Sequence, residues 1–234
     1  MKDILCIIPA RKGSKGVKLK NFIKLDNKEI IQYTIDTAKR LENYCDIAIS
    51  SDYSNITKFT KKNNLDFTGY RPKKLSGDKV ETVDVIKYEL KKIQKIKNKK
   101  YKFILLLQPT CPIRDIKKIT KAIKIIKNNK HINSVISIKD VEANHPARMK
   151  TMSKGNIIKN FLKNKKENMM PRQNLKKVYI RSGSFYLIRV LNMMKENALV
   201  SSKCYGIVVK NLEAANIDTI EDFNILEMQL NKWN

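Results

Sequence analysis

The stretch Ile4-Leu5-Cys6-Ile7-Ile8-Pro9-Ala10-Arg11-Lys12-Gly13-Ser14-Lys15-Gly16 decides how the rest of the chain is read. Its first five residues form an unbroken apolar run, the pattern of a strand buried on both faces of a parallel sheet. Pro9 ends the run. A turn follows that holds two glycines and several cations, and it continues through Lys18, Lys20 and Asn21. Gly13 and Gly16 open backbone torsions closed to other residues, so amides can turn toward a phosphate. Arg11, Lys15 and Lys20 bring positive charge to the same loop, and a nucleoside triphosphate in transfer needs oriented amides plus cations. The Walker spacing GxxxxGK[ST] is absent, so this is not a P-loop. An ordinary basic turn would explain a Gly and Lys pair alone. The whole run, placed directly after the first strand, points to phosphate binding.

Working outward, strand-like and helix-like segments alternate. Residues 30–41 have helical periodicity, and residues 46–50 form a second strand ending in Ser50-Ser51-Asp52. Residues 54–63 read as a helix with Ser54 as its cap, and residues 65–68 as a third short strand. A helix over 82–93, a strand over 103–107, a helix over 116–128 capped by Asp115 and a strand over 135–138 follow. From residue 140 to 171 the alternation breaks down. It resumes with residues 178–188, 206–209 and an amphipathic helix over 220–230. This order predicts an α/β domain with a mostly parallel sheet and right-handed crossovers. Residues 1–234 read as a single domain, with residues 140–180 as an inserted arm. Ligands in such sheets bind beyond the carboxyl ends of the strands.

The composition narrows the function classes. With 234 residues and 42% hydrophobic content, the chain is long and apolar enough for a substantial core. Forty-nine basic residues against 22 acidic ones leave a formal charge of +27. A field of that size attracts polyanions, and a nucleic-acid binder is the rival reading. The lysine-rich runs at 95–100 and 117–130 are interleaved with isoleucine and hold no aromatic stacking platform. A lysine-rich solvated surface explains them better, and it would still draw in a nucleoside triphosphate. The four cysteines form no CxxC pair and only two histidines are present, which argues against structural zinc. No run approaches the length of a membrane span, and residues 1–10 lack a signal-peptide pattern. The expectation is a soluble, cytoplasmic protein.

Residues 8–21 resemble the nucleotide-binding signature of the acylneuraminate (CMP-sialic acid) cytidylyltransferases. Further pieces fall in that family's order. They are Ser50-Ser51-Asp52, then Tyr70-Arg71-Pro72 with Leu75 and Asp78, then Leu106-Leu107-Gln108-Pro109-Thr110-Cys111-Pro112-Ile113-Arg114. His145-Pro146, Pro171-Arg172-Gln173 and Gly183-Ser184-Phe185-Tyr186 come next. Asn216-Ile217-Asp218-Thr219 with Glu221 and Asp222 resembles the family's terminal "DIDT.ED". The resemblance covers nearly the whole chain. It implies a Rossmann-like sheet of the nucleotidyltransferase type, with a small dimerisation arm.

The resemblance also implies roles. Arg11, Ser14, Lys15, Lys20 and Asn21 would hold the CTP phosphates, with Lys20 and Arg11 offsetting charge on the leaving pyrophosphate. Arg71 and Thr82 would select the cytidine end. Gln108, Gln173 and Ser182 would contact the sugar acid, and Arg172 would grip a carboxylate or phosphate from the arm. Asp218 would be a Mg²⁺ ligand with Asn216 beside it; many family members have Asp at the latter position, and many have Asn where this chain has Ser182. For Asp218 and Asp222 the plainer reading is helix N-terminal charge, with Thr219 as cap. The implied reaction transfers CMP from CTP to the anomeric hydroxyl of a nine-carbon sialic-acid-like sugar acid, releasing pyrophosphate, in a homodimer. Legionaminic and pseudaminic acids remain alternatives to N-acetylneuraminic acid.

Overall fold

The computed structural model describes residues 2–14, 16–163 and 169–231; for Arg172 and Asn231 it describes the backbone alone. The strands are β1 (Ile4–Pro9), β2 (Lys24–Leu25), β3 (Lys28–Glu29), β4 (Cys45–Ser50), β5 (Phe103–Leu106), β6 (Ser134–Asp140), β7 (Lys150–Met152), β8 (Ile158–Asn160), β9 (Tyr179–Arg189) and β10 (Cys204–Val208). The helices are α1 (Ile30–Lys39), α2 (Ile56–Asn63), α3 (Thr82–Lys97), α4 (Ile116–Asn128), α5 (Val190–Glu196) and α6 (Ile220–Asn231).

Six strands make the central sheet, in the order β10-β6-β9-β5-β1-β4. β1 runs parallel to β4 and β5, and β10 runs parallel to β6. β9 is antiparallel to both its neighbours, β5 and β6. The mostly parallel expectation therefore holds, with one reversed strand in the middle. The apolar run of β1 is explained by its two faces. Ile4, Cys6 and Ile8 enter the core under α1 and α4, where Ile31, Ile35, Ile119 and Ile123 meet them. Leu5 and Ile7 face the other way, against Val83, Ile86 and Leu90 of α3. A strand covered on both sides has no solvent-facing position to hold a polar residue.

Several local expectations need correction. Residues 65–68 form no strand; only a single parallel bridge joins Asp66 to Ala48 at the edge of the sheet. Ser54 does not cap α2, which starts two residues later with Asn55 at its N-cap and no side-chain cap bond. The Ser54 carbonyl instead accepts hydrogen bonds from Thr57 and Tyr70. The β2–β3 hairpin and α5 were not anticipated, because each is too short to show periodicity. Asp115 does cap α4, its carboxylate accepting from the Lys117 amide at 2.8 Å. Within residues 140–180 the irregular reading is refined by the small hairpin of β7 and β8, whose side chains are mostly exposed. No helix among the described residues is long and apolar enough to cross a membrane.

Candidate active site

The functional residues converge because the strands share a direction. The carboxyl ends of β1, β4, β5, β6 and β10 lie on one edge of the sheet. β9 runs backward, so its first residues, Tyr179 to Ser182, reach that same edge.

The loop after β1 is pinned to the end of β4. The Ala10 amide donates to the Ser50 carbonyl at 2.8 Å, and the Ser51 hydroxyl donates back to the Ala10 carbonyl at 2.5 Å. Asp52 accepts from the Lys12 amide at 2.7 Å. Asn21 donates from its side-chain amide to the Arg11 carbonyl at 2.9 Å, which closes the loop on itself. The Ser50-Ser51-Asp52 motif is thus a clamp on the loop. The two glycines do not act as the sequence suggested, since neither has a positive φ. The left-handed residue of this loop is Leu19, at φ 53°. At Gly16 a Cβ would collide with the backbone carbonyl oxygen of Asp218, whereas at Gly13 it would meet open space.

The opposite wall comes from the segment after β4. Arg71 is buried, at 6% exposure. Its Nη2 donates to the Ser50 carbonyl at 2.9 Å and its Nη1 to the Leu75 carbonyl at 3.4 Å. Its Nε has no partner. Burial pulls its pKa down, against the pull of Asp52 and Glu89. Arg11 crosses to this wall and pairs with Asp78 at 2.8 Å.

Asn216 and Asp218 follow β10 and are carried to the cleft by the residue between them. Ile217 is fully buried, and its amide donates to the Thr110 carbonyl at 2.8 Å. Lys20 Nζ lies 2.8 Å from Asp218 Oδ1, and the Asn216 amide donates to the other oxygen of the same carboxylate. Asp222 is used up locally. Its Oδ2 accepts from the amides of Asp218 and Thr219, both at 2.9 Å, and Thr219 accepts in return from the Asp222 amide at 3.2 Å. This reciprocal box caps α6. Partial desolvation acts to raise the Asp222 pKa, but these hydrogen bonds hold it below the usual carboxylate range. The plainer reading was therefore correct for Asp222 and Thr219, while Asp218 keeps a side chain that is 64% exposed.

Together these walls enclose a cleft of about 290 Å³. Arg11, Ser14, Lys20 and Asn21 line it from the loop after β1, Arg71 and Thr82 from the opposite wall, and Gln108, Asn216 and Asp218 from its far end. A second cavity of about 540 Å³ shares Thr82, Gln108 and Asn216 with the first and continues over Ser182, Gly183 and Tyr186. A polar, cation-rich cleft opening into a wider cavity suits a phosphate-bearing ligand next to a second substrate.

A family model described as Cytidylyltransferase matches residues 5–229. The chain belongs to the cytidylyltransferase family. It is 29% identical over 237 residues to a CMP-N,N'-diacetyllegionaminic acid synthase of Campylobacter jejuni, covering 100% of this chain and 97% of that one. It is 29% identical over 226 residues to an N-acylneuraminate cytidylyltransferase of Streptococcus agalactiae, covering 95% of this chain but 52% of the relative, so it spans about half that protein's length. A solved CMP:2-keto-3-deoxy-manno-octonic acid synthetase complexed with CTP superposes with a TM-score of 0.68 at 12% identity, covering 100% of both chains, which shows the shared fold.

Among the expected residues that are described, Gln173 reaches neither cavity. Lys15 lies outside the described residues, and so does the side chain of Arg172. Gln173 stands exposed in a short 3-10 turn on the arm and is not among the described residues that line either cavity. Within a single chain, its sugar-contacting role has no geometric support. Arg114, quoted only as the end of a motif, proves to be the clasp of the Gln108 loop. It donates to the carbonyls of Gln108 at 2.5 Å and Ser184 at 2.6 Å, and to the Thr34 hydroxyl at 3.0 Å. Burial lowers its pKa to about 10, leaving it charged at neutral pH. An arginine two residues after Pro112 gave no local signal for this, because these partners are distant in sequence or are backbone atoms.

Proposed function

We propose that this cytidylyltransferase transfers CMP from CTP to the anomeric hydroxyl of a nine-carbon, sialic-acid-like sugar acid. The hydroxyl oxygen attacks the α-phosphorus and gives up its proton to solvent as the bond to the α,β-bridging oxygen breaks, and pyrophosphate leaves. The observation that carries this reading is the pair of joined cavities, one rimmed by phosphate-binding groups, with Gln108 at their boundary. Lys20 and Arg11 would neutralise charge gathering on the pyrophosphate. The Arg71 Nε, without a partner among the described residues, is a buried donor that an acceptor atom of the cytosine base would satisfy. Arg114 fixes the carbonyl of Gln108 and so its orientation.

The donor set fits Mg²⁺ held on phosphate. Among the described residues no cluster of three or more His, Cys, Asp or Glu could hold a metal by itself. Asp218 offers one exposed carboxylate and Asn216 an amide oxygen, and a phosphate-bound Mg²⁺ needs only one or two protein carboxylates. When bound there, the ion would supply charge neutralisation at the phosphates. Relatives acting on sialic and legionaminic acids make both acid classes candidates for this chain. A homodimer is favoured by the arm, which exposes Met152, Ile157, Ile158, Phe161 and Met169, and a cytoplasmic site of action accords with the use of CTP.

Incubation with each of the four nucleoside triphosphates, magnesium and a panel of nine-carbon acids tests this reading. Pyrophosphate release is expected with CTP alone, and Lys20→Ala should lower kcat by about 100-fold or more with the fold intact by circular dichroism. Equal turnover of ATP, or a Lys20→Ala rate near wild type, would refute the assignment.

A further inference from the structure

The second cavity carries a feature that neither the motifs nor the family resemblance singled out. Lys139, near the end of β6, and Arg181, near the start of β9, both line it. Their strands are neighbours, and the register pairs Lys139 with Ile180 and Ile138 with Arg181, so the two leave the sheet on opposite faces and come together only where both line this cavity. No carboxylate among the described residues lines this cavity. Other cations on the same edge of the sheet are matched: Arg11 has Asp78, Lys20 has Asp218 and Lys118 has Glu213. Lys139 and Arg181 form no salt bridge or side-chain hydrogen bond among the described residues. Their charges act on the cavity's surroundings instead. Lys139 opposes the upward shift that burial imposes on Cys111, and Arg181 does the same for Tyr186.

We propose that Lys139 and Arg181 form the subsite for the carboxylate of the acceptor acid. This rests on the cytidylyl-transfer reading and deepens it. Two cations that line one cavity and have no carboxylate beside them there both gain from an anion bound in it. In a nine-carbon keto acid the carboxylate is attached to the anomeric carbon, which also bears the attacking hydroxyl. Holding the carboxylate therefore limits where that hydroxyl can point. Gln108 lies between this subsite and the phosphate cleft, so the hydroxyl is directed across it. Ile180 and Leu199 supply an apolar wall for the uncharged part of the sugar.

The test uses the full chain with CTP, magnesium and whichever of N-acetylneuraminic, N,N'-diacetyllegionaminic and pseudaminic acid is turned over fastest. Lys139→Ala and Arg181→Ala are each expected to raise KM for the acid about tenfold while KM for CTP stays unchanged. Each should also shrink, by a similar factor, the wild-type preference for the free acid over its methyl ester. The Gln variants of both residues replace any alanine variant that fails to fold by circular dichroism. An acid KM within about twofold of wild type in both variants, an unchanged preference for acid over ester, or an equal rise in KM for CTP overturns the carboxylate subsite and leaves cytidylyl transfer standing. Absence of pyrophosphate release by the wild-type protein with every acid removes both readings together.

Discussion

At the residue scale, Gly16 shows how a motif glycine can be required for a reason that its motif does not reveal. Its torsions are ordinary; its missing side chain is what matters, because the Asp218 carbonyl occupies the space a Cβ would take. The contact ties the phosphate loop to the segment that carries the proposed metal ligand. Gly16→Ala is expected to push the two apart, costing about 1–3 kcal/mol of stability and most of the turnover. Gly13→Ala, whose Cβ enters open space, should leave stability within about 0.5 kcal/mol of wild type. Thermal melts of the two variants side by side would check the contrast, and equal destabilisation would contradict it. Leu19, not a glycine, takes the left-handed turn that follows, and its neighbours hold it there through the Phe22 amide bond to its carbonyl at 2.7 Å.

At the scale of elements, ion pairs join the ends of β4, α3 and β5 away from the active edge. Asp46 of β4 accepts from Lys99 and from the Tyr101 hydroxyl, each at 2.6 Å. Desolvation acts to raise the Asp46 pKa, but these two donors outweigh it and hold the carboxylate below its ordinary value. Burial and Asp46 together push Tyr101 far above the usual tyrosine range, so it stays a donor. An acid whose folded pKa is depressed stabilises the fold fully above its unfolded pKa, about 4 for Asp, and loses that contribution as pH falls through the lower folded value. Asp46→Asn is therefore expected to be less stable than wild type at pH 7 by about 1 kcal/mol, with the gap shrinking when the pH is taken well below about 4. Urea denaturation at the two pH values measures it, and a gap that persists undiminished in acid would exclude the ionic explanation. The caps at the active edge follow the same logic: Asp115 at α4 and the Thr219–Asp222 box at α6 each fix a helix start beside a loop that reaches the cleft.

At the scale of the whole molecule, the described part of the arm between β6 and β9 exposes several large apolar side chains. Met152, Ile158 and Phe161 are 70%, 60% and 53% exposed on or beside a hairpin that packs on little else. Apolar side chains gathered this way mark an interaction surface, and a second copy of the chain is the proposed occupant. Ile158→Lys together with Phe161→Glu should convert a dimer to a monomer in light scattering, with β1, β4 and β5 untouched. A wild-type protein already monomeric at micromolar concentration would refute the dimer.

Much of this was legible in the chain alone. A continuous apolar run marks a doubly covered strand, a glycine-bearing cationic turn after it marks a loop that lines the cleft, and Asp115 marks a helix start. These are short-range signals, written within a few residues of where they act. The clasp of Arg114 on Ser184, the close approach of Gly16 to Asp218, the backward run of β9 and the sharing of one cavity by Lys139 and Arg181 had no such signal. Each depends on which strands become neighbours, and that is set by burial of both sheet faces summed over the whole fold. The sequence by itself determined the layered α/β class and the chemistry offered at each strand end. Only the tertiary structure decided which of those offered groups share a cavity, because proximity between residues scores of positions apart is a property of the packed sheet and not of any segment within it.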